Sequence, residues 1–325
     1  MKQSVDSLTI SDSIRELKER KNAIIIAHYY QTPEIQEVAD VVGDSLQMAQ
    51  HAAQSEADII VVAGVYFMAE TAKILNPTRK VLLPDTGAGC SLADSCPPAE
   101  FKKFVAAHPG SPVVTYVNCS AEIKAMSDIV CTSSNAVKVI NSIKTEKPII
   151  FAPDVNLGKY LIQQTGREMV LWDGSCIVHE NFSIDKILDL HTLYPDAKFI
   201  AHPESQPHIL RIASYIGSTK GMIDFVKRDS HQQYIVATEA GILYQMQKEV
   251  PHKILIPAPA FEDNTCACSE CPYMKMNTLE KLERCLRNEE PEILVQESVR
   301  KKAVRALNAM LELSAIPLQS ISMEV

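Results

Sequence analysis

Asn22-Ala23-Ile24-Ile25-Ile26-Ala27-His28-Tyr29-Tyr30-Gln31 decides the fold. Ala23 to Ala27 is an unbroken apolar run of strand length, the pattern of a strand buried on both faces in a parallel sheet. His28, Tyr29, Tyr30 and Gln31 follow at its carboxyl end, where open α/β sheets bind their ligands. Working outward, Pro33 opens a helix predicted to run toward Val42. Gly43-Asp44-Ser45 breaks it, and Asp44 or Ser45 can cap a helix from Leu46 to Gln54. A strand over Ala57–Gly64, a helix over Met68–Leu75 and a strand at Lys80–Leu83 follow, before a Gly-rich loop ending on Cys90.

The same order recurs twice. Pro112–Tyr116 is the next leading strand, with Tyr116 and Asn118 standing where the first unit has His28 and Tyr30. Thr132-Ser133-Ser134-Asn135 opens a helix to Ile143, strands are expected at Pro148–Phe151 and Met169–Trp172, and the unit ends on Gly174-Ser175-Cys176. In the third unit Lys198–Ala201 leads into His202-Pro203-Glu204. Ser218-Thr219 opens a helix, strands fall at Tyr234–Ala237 and Ile254–Pro257, and a longer loop reaches Cys271. Strands alternating with helices imply parallel sheets with right-handed crossovers. The expected organisation is three α/β units over residues 1–108, 109–196 and 197–325, with the working residues at one central junction. A helix is expected before the first unit at Ser11–Arg20. After the third, Asn277 and Glu280 read as a capping box opening Thr278–Leu286, and Pro291–Leu313 as a docked closing helix.

Composition narrows the function. The 325 residues are 46% hydrophobic and 22% charged, as in an ordinary globular protein. A net charge of −8 argues against a general nucleic-acid or anionic-membrane surface. No run of about 18 apolar residues and no apolar leader is present, so a cytoplasmic protein is expected. Nine cysteines at irregular spacing, in a chain large enough to need no staples, favour metal binding or catalysis over disulfides.

Cys90, Cys176 and Cys271 close equivalent loops, 86 and 95 residues apart, so only folding can join them. Three thiolates suit a soft metal or cluster, whereas a closed zinc site takes four ligands. A three-cysteine [4Fe–4S] cluster keeps one open iron, able to act as a Lewis acid. Cys96, Cys119, Cys131 and Cys285 read as core thiols, and Cys266 and Cys268 as redox partners or spare thiols. Ser45, Ser133 and Ser218-Thr219 present hydroxyls and free N–H groups at helix starts, a setting for anionic groups. Each such end contributes only about 0.3–1 kcal/mol, so side chains such as His28 and His202 must supply more of the binding. Glu204 is the general-base candidate and Tyr30 a proton relay, with His179 and Glu180 weaker candidates. No Gly-x-Gly-x-x-Gly, Walker A or Gly-x-Ser-x-Gly signature occurs.

Together, AHYYQ (27–31), VGDSLQMA (42–49), TYVNCSAEIKA (115–125), VCTSSNA (130–136), WDGSCIVHE (172–180), AHPE (201–204), GSTKGM (217–222) and CSECPYMKMN (268–277) resemble the quinolinate synthases, over about residues 15–290. The resemblance implies three α/β/α domains about a pseudo-threefold axis. It also implies a [4Fe–4S] cluster on Cys90, Cys176 and Cys271, the last directly preceding Pro272-Tyr273-Met274. The implied reaction condenses iminoaspartate with dihydroxyacetone phosphate to quinolinate, losing phosphate and two waters. An aspartate oxidase is the implied source of the unstable iminoaspartate. His28, Tyr30, Ser45, Tyr116, Asn118, Ser133, His202, Glu204, Ser218 and Thr219 match positions around the substrate, with Glu204 and Tyr30 moving protons. The competing readings are a three-cysteine reductase or hydro-lyase on another small anion, and a redox or zinc-binding interaction protein using Cys266, Cys268 and Cys271 as a local knuckle.

Overall fold

The computed structural model describes residues 2–261 and 269–315; Cys266 and Cys268 lie outside the described residues. Uninterrupted apolar runs become the central strands of three four-stranded sheets. The first holds β1 (Ala23–His28), β2 (Val41–Gly43), β3 (Ile59–Ala63) and β4 (Lys80–Leu82) in the order β2-β1-β3-β4. The second holds β5 (Val113–Tyr116), β6 (Ile129–Cys131), β7 (Ile149–Ala152) and β8 (Met169–Leu171) in the order β6-β5-β7-β8. The third holds β9 (Lys198–Ala201), β10 (Tyr215–Ile216), β11 (Gln233–Ala237) and β12 (Ile254–Pro257) in the order β10-β9-β11-β12. Every paired neighbour is parallel. The expected α/β class with three similar parallel units is what the chain forms, and all three sheets repeat one strand order.

Each sheet carries one strand more than its sequence pattern suggested. β2, β6 and β10 are edge strands of two or three residues, too short to print a pattern of their own. β2 corrects the first expected helix, which stops at Val38 instead of running toward Val42. Asp40 secures the switch: its Oδ2 accepts the Ile25 N–H at 2.8 Å, and its own N–H donates to the Ile25 carbonyl. Chain ends differ in detail too. Thr278, not Asn277, caps the helix Leu279–Asn288, accepting from the Lys281 N–H. The Asn277 amide instead donates to the Gly64 carbonyl beyond β3, which outweighs a local cap because both groups are buried there. The last helix begins at Glu297, since Glu292 and Ile293 are drawn into extended pairing with Leu82 and Val81.

Packing explains why the repeats stay together. The cores of the first two units are continuous: Val62 and Leu83 share one cluster with Val114, Ile149 and Phe151. The helix Glu297–Ala315 seals that cluster with Ala303, Leu307 and Met310. The third sheet buries its own residues, and Tyr29 from the first unit packs among them. Among the described residues no helix is long and apolar enough to cross a membrane. Leu307 is fully buried in the shared cluster. Leu307→Ala is expected to lower unfolding stability by about 2–5 kcal/mol, read from the midpoint of a urea titration.

Candidate active site

Parallel strands all point their carboxyl ends one way, and here residues from the ends of the three sheets line one shared cavity. Cys90, Cys176 and Cys271 all reach its wall, from the loops after β4, β8 and β12. Cys90 and Cys176 each immediately precede a short helix, Ser91–Asp94 and Ile177–Glu180. Cys271 is fixed through its backbone, whose N–H donates to Glu239 Oε1 at 3.1 Å. Burial pushes the Cys90 thiol up to about 12 and raises those of Cys176 and Cys271. Val65, Phe67, Met68 and Met274 form apolar wall beside them. A set of three thiols against an apolar wall fits a thiolate-bound soft metal or iron–sulfur cluster and offers little to a hard cation. Cys176, His179 and Glu204 also form a mixed group whose ligand atoms lie within 4.8 Å of one another. In that group Glu204 and His179 are already engaged by protein partners.

Those partners make the polar half of the cavity. Glu204 is 3% exposed. Tyr116 Oη donates to its Oε1 at 2.6 Å. His179 Nδ1 lies 3.3 Å from Oε2, close enough for attraction though not well aligned, and His202 Nδ1 lies 3.5 Å from Oε1. Burial by itself raises the Glu204 carboxyl. His179, His202 and the Tyr116 hydroxyl outweigh that and hold it below the ordinary carboxylate range. The His179 and His202 rings stack at 4.8 Å, and His202 Nε2 meets Ser133 Oγ at 3.1 Å. Burial lowers His202 to about 3 and His28 likewise to about 3, so both imidazoles are neutral near pH 7. Tyr30 packs edge-on against His28 at 4.3 Å, and its hydroxyl lies 2.7 Å from Thr238 Oγ1.

The three helix starts also converge. Ser45, Ser133 and Thr219 line the cavity, and so do Asn118, Tyr116, His28, Tyr30, His202 and Glu204. Ser218 does not line it. Its hydroxyl caps the helix Thr219–Arg228, accepting from Gly221 N–H, and its Oγ lies 2.9 Å from Ser134 Oγ. Ser134 additionally bonds Asp44 Oδ2 at 2.6 Å, so one hydroxyl ties all three units. Asp44, not Ser45, caps the helix Ser45–Gln54, in a reciprocal box with Gln47. Of the weaker candidates, His179 sits at the centre. Glu180 is structural, accepting from Asn156 and Gln206.

Sequence reading passed over several contributors. Thr132 Oγ1 and Asn118 Oδ1 are buried without a protein partner, and both residues line the cavity, so a polar ligand can satisfy them. Thr238 and Glu239 follow β11, and Lys275 follows the Cys271 loop. Lys275 Nζ pairs with Glu239 Oε1 at 2.9 Å and donates to the Tyr30 carbonyl at 2.7 Å. Nothing local marked them; Glu239 lies two residues past an ordinary buried strand, and only its position there, at the expected ligand edge, could have drawn notice.

Converging parallel strands, one shared cavity, three thiols and a group of imidazoles around one buried carboxylate define a small-molecule enzyme of the α/β class. The family described as Quinolinate synthetase A protein matches residues 12–312, and the chain belongs to it. It is 60% identical over 302 residues to the quinolinate synthase of Gloeothece citriformis, and 58% identical over 303 residues to that of Trichodesmium erythraeum, each match covering 93% of both chains. The quinolinate synthase of Microcystis aeruginosa is 59% identical over 302 residues, covering 93% of this chain and 94% of its own.

Removing the shared hydroxyl tests the convergence of the helix starts. Ser134→Ala leaves the buried Asp44 carboxylate with one donor fewer. It is expected to cost about 1–3 kcal/mol in a denaturant titration, with the far-ultraviolet circular dichroism unchanged.

Proposed function

We propose that the chain is a quinolinate synthase that condenses iminoaspartate with dihydroxyacetone phosphate, releasing phosphate and two waters. The observation that carries the reading is the meeting of three thiols from three separate loops with Glu204, Tyr30, His28 and His202 around one cavity. Cys90, Cys176 and Cys271 would hold a [4Fe–4S] cluster. When bound, such a cluster leaves one iron free to polarise a substrate oxygen or nitrogen as a Lewis acid.

The chain's own residues would do the rest. Ser45 and Thr219, each the first residue of its helix, and Ser133, three residues before the helix Ala136–Ser142, bind carboxylate and phosphate oxygens. Thr132 Oγ1 and Asn118 Oδ1 supply further polar contacts, each being unpartnered within the protein. His28 and His202, neutral at working pH, exchange hydrogen bonds with the substrate without adding charge. Glu204 is ionised by virtue of its donors, the state a general base needs to take a proton from carbon. Tyr30, whose phenol burial keeps protonated, gives and takes protons as hydroxyl groups leave and the imine forms. The apolar wall around Phe67 and Met68 keeps water from reactive imines. An aspartate oxidase, or another reaction that oxidises aspartate, would supply the imine.

The local-knuckle alternative gives Cys90 and Cys176 no part; their presence beside Cys271 on one wall favours the shared site. Anaerobic reconstitution followed by iron and sulfide counting should find about four irons per chain. Each of Cys90→Ala, Cys176→Ala and Cys271→Ala should abolish that content. Quinolinate should form from the two substrates, measured by liquid chromatography. Glu204→Gln and Tyr30→Phe should keep the iron and lower kcat by about 10²–10⁴-fold. Cluster-replete protein that forms no quinolinate would refute the reading, and one zinc without sulfide would refute the cluster.

A further inference from the structure

Thr238 does not line the cavity, yet it joins the two groups proposed to move protons. Its Oγ1 lies 2.7 Å from Tyr30 Oη and 3.0 Å from His179 Nε2, and the residue is 1% exposed. His179 Nδ1 in turn faces Glu204 Oε2 at 3.3 Å, and Glu204 Oε1 accepts from Tyr116 at 2.6 Å. Tyr30 of the first unit, Thr238 and Glu204 of the third, and His179 and Tyr116 of the second thus lie in one buried row, in which the His179–Glu204 step is a 3.3 Å electrostatic approach and the other contacts are hydrogen bonds.

The direction of that chain follows from counting hydrogens. A threonine hydroxyl has one hydrogen, so it donates to only one of its two partners. A neutral imidazole also carries one N–H. With a carboxylate beside Nδ1, the hydrogen belongs on Nδ1, because a lone pair there would meet the lone pairs of Glu204. In the neutral imidazole Nε2 is then an acceptor, and Thr238 donates to it. The Thr238 oxygen consequently accepts from Tyr30, which points the Tyr30 hydrogen into the protein and leaves its lone pairs toward the cavity.

We infer that Thr238 is a positioning residue for Tyr30: its hydroxyl fixes the place and direction of the Tyr30 O–H and ties it through His179 to Glu204. The inference rests on the proton-transfer roles proposed above for Tyr30 and Glu204. Tyr30 is held at its other end as well, where its carbonyl accepts from Lys275, itself paired with Glu239, the neighbour of Thr238. The end of β11 therefore sets both the hydroxyl and the backbone of Tyr30.

Thr238→Val keeps shape and removes the hydroxyl; Thr238→Ser keeps the hydroxyl. In anaerobically reconstituted protein, with iron content measured for each variant, Thr238→Val is expected to lower kcat about 10–100-fold with KM within about threefold. Thr238→Ser is expected to stay within about threefold of the parent in both. Equal kcat in the valine variant and the parent, or equal losses in valine and serine variants, would overturn the inference. Long-range ¹H–¹⁵N spectra of the same protein, with the His179 signals assigned from a His179→Asn variant, provide a readout that does not depend on turnover. The parent should show the Nδ1–H form at His179; an Nε2–H form would overturn the direction argued here. If the cluster-replete parent makes no quinolinate, the proposed function fails, and the His179 form still decides the inference about Thr238.

Discussion

A carboxylate with almost no access to water stands at the meeting point of the three sheets. Glu204 lies just past β9 and survives burial because Tyr116 from the end of β5 donates to it and His179 from beyond β8 approaches it, while the His202 ring packs beside it and accepts from its backbone N–H. A buried charge without partners is far too unfavourable to persist, so each donor must be in place at once. That requirement links the third unit to the second, whose core is continuous with that of the first. Desolvation outweighs the pull of that anion on the neighbouring imidazoles, pressing His28 and His202 toward their uncharged forms and leaving them as adaptable hydrogen-bonding groups.

The cavity is divided by chemistry. Its thiol side is apolar, with Phe67 and Met68 nearby, and burial keeps the free thiols protonated. The rest of its lining carries hydroxyls, imidazoles and a carboxylate that comes within 4.8 Å of the Cys176 thiol. Between them run the connections that hold Tyr30, reached from Thr238 at its hydroxyl and from Lys275 at its carbonyl. Since Glu239 bonds both Lys275 and the Cys271 amide, the third thiol loop and Tyr30 share one support. Such supports behind the contacting residues decide how well a site is preorganised.

Much of this was legible along the chain. The apolar runs at Ala23, Val113 and Tyr234 named buried parallel strands, because burial on both faces leaves no room for alternation. The equivalent placing of Cys90, Cys176 and Cys271 pointed to one shared wall. Elements whose signal is not local were missed. Val41–Gly43, Ile129–Cys131 and Tyr215–Ile216 are too short for periodicity and exist as strands only because a neighbour offers its edge. Asn277 looked like a cap by spacing, but a buried carbonyl at Gly64 made the better partner. The hydroxyl of Ser218, read in the sequence as a ligand contact, is engaged by Ser134 and Gly221 at the seam, a placement no local pattern encodes.

The chain alone determined which strands are buried, that they run parallel, that the pattern repeats three times, and which residue types stand at the strand ends. Each of these follows from side-chain chemistry and spacing within a few dozen residues. Tertiary structure decided which of those ends meet. Tyr30 and Thr238 are 208 residues apart, and Tyr116 and Glu204 are 88 apart. Hydrogen bonds of this kind carry no trace in local pattern, since they form only after three cores have packed and water has been excluded from the groups between them.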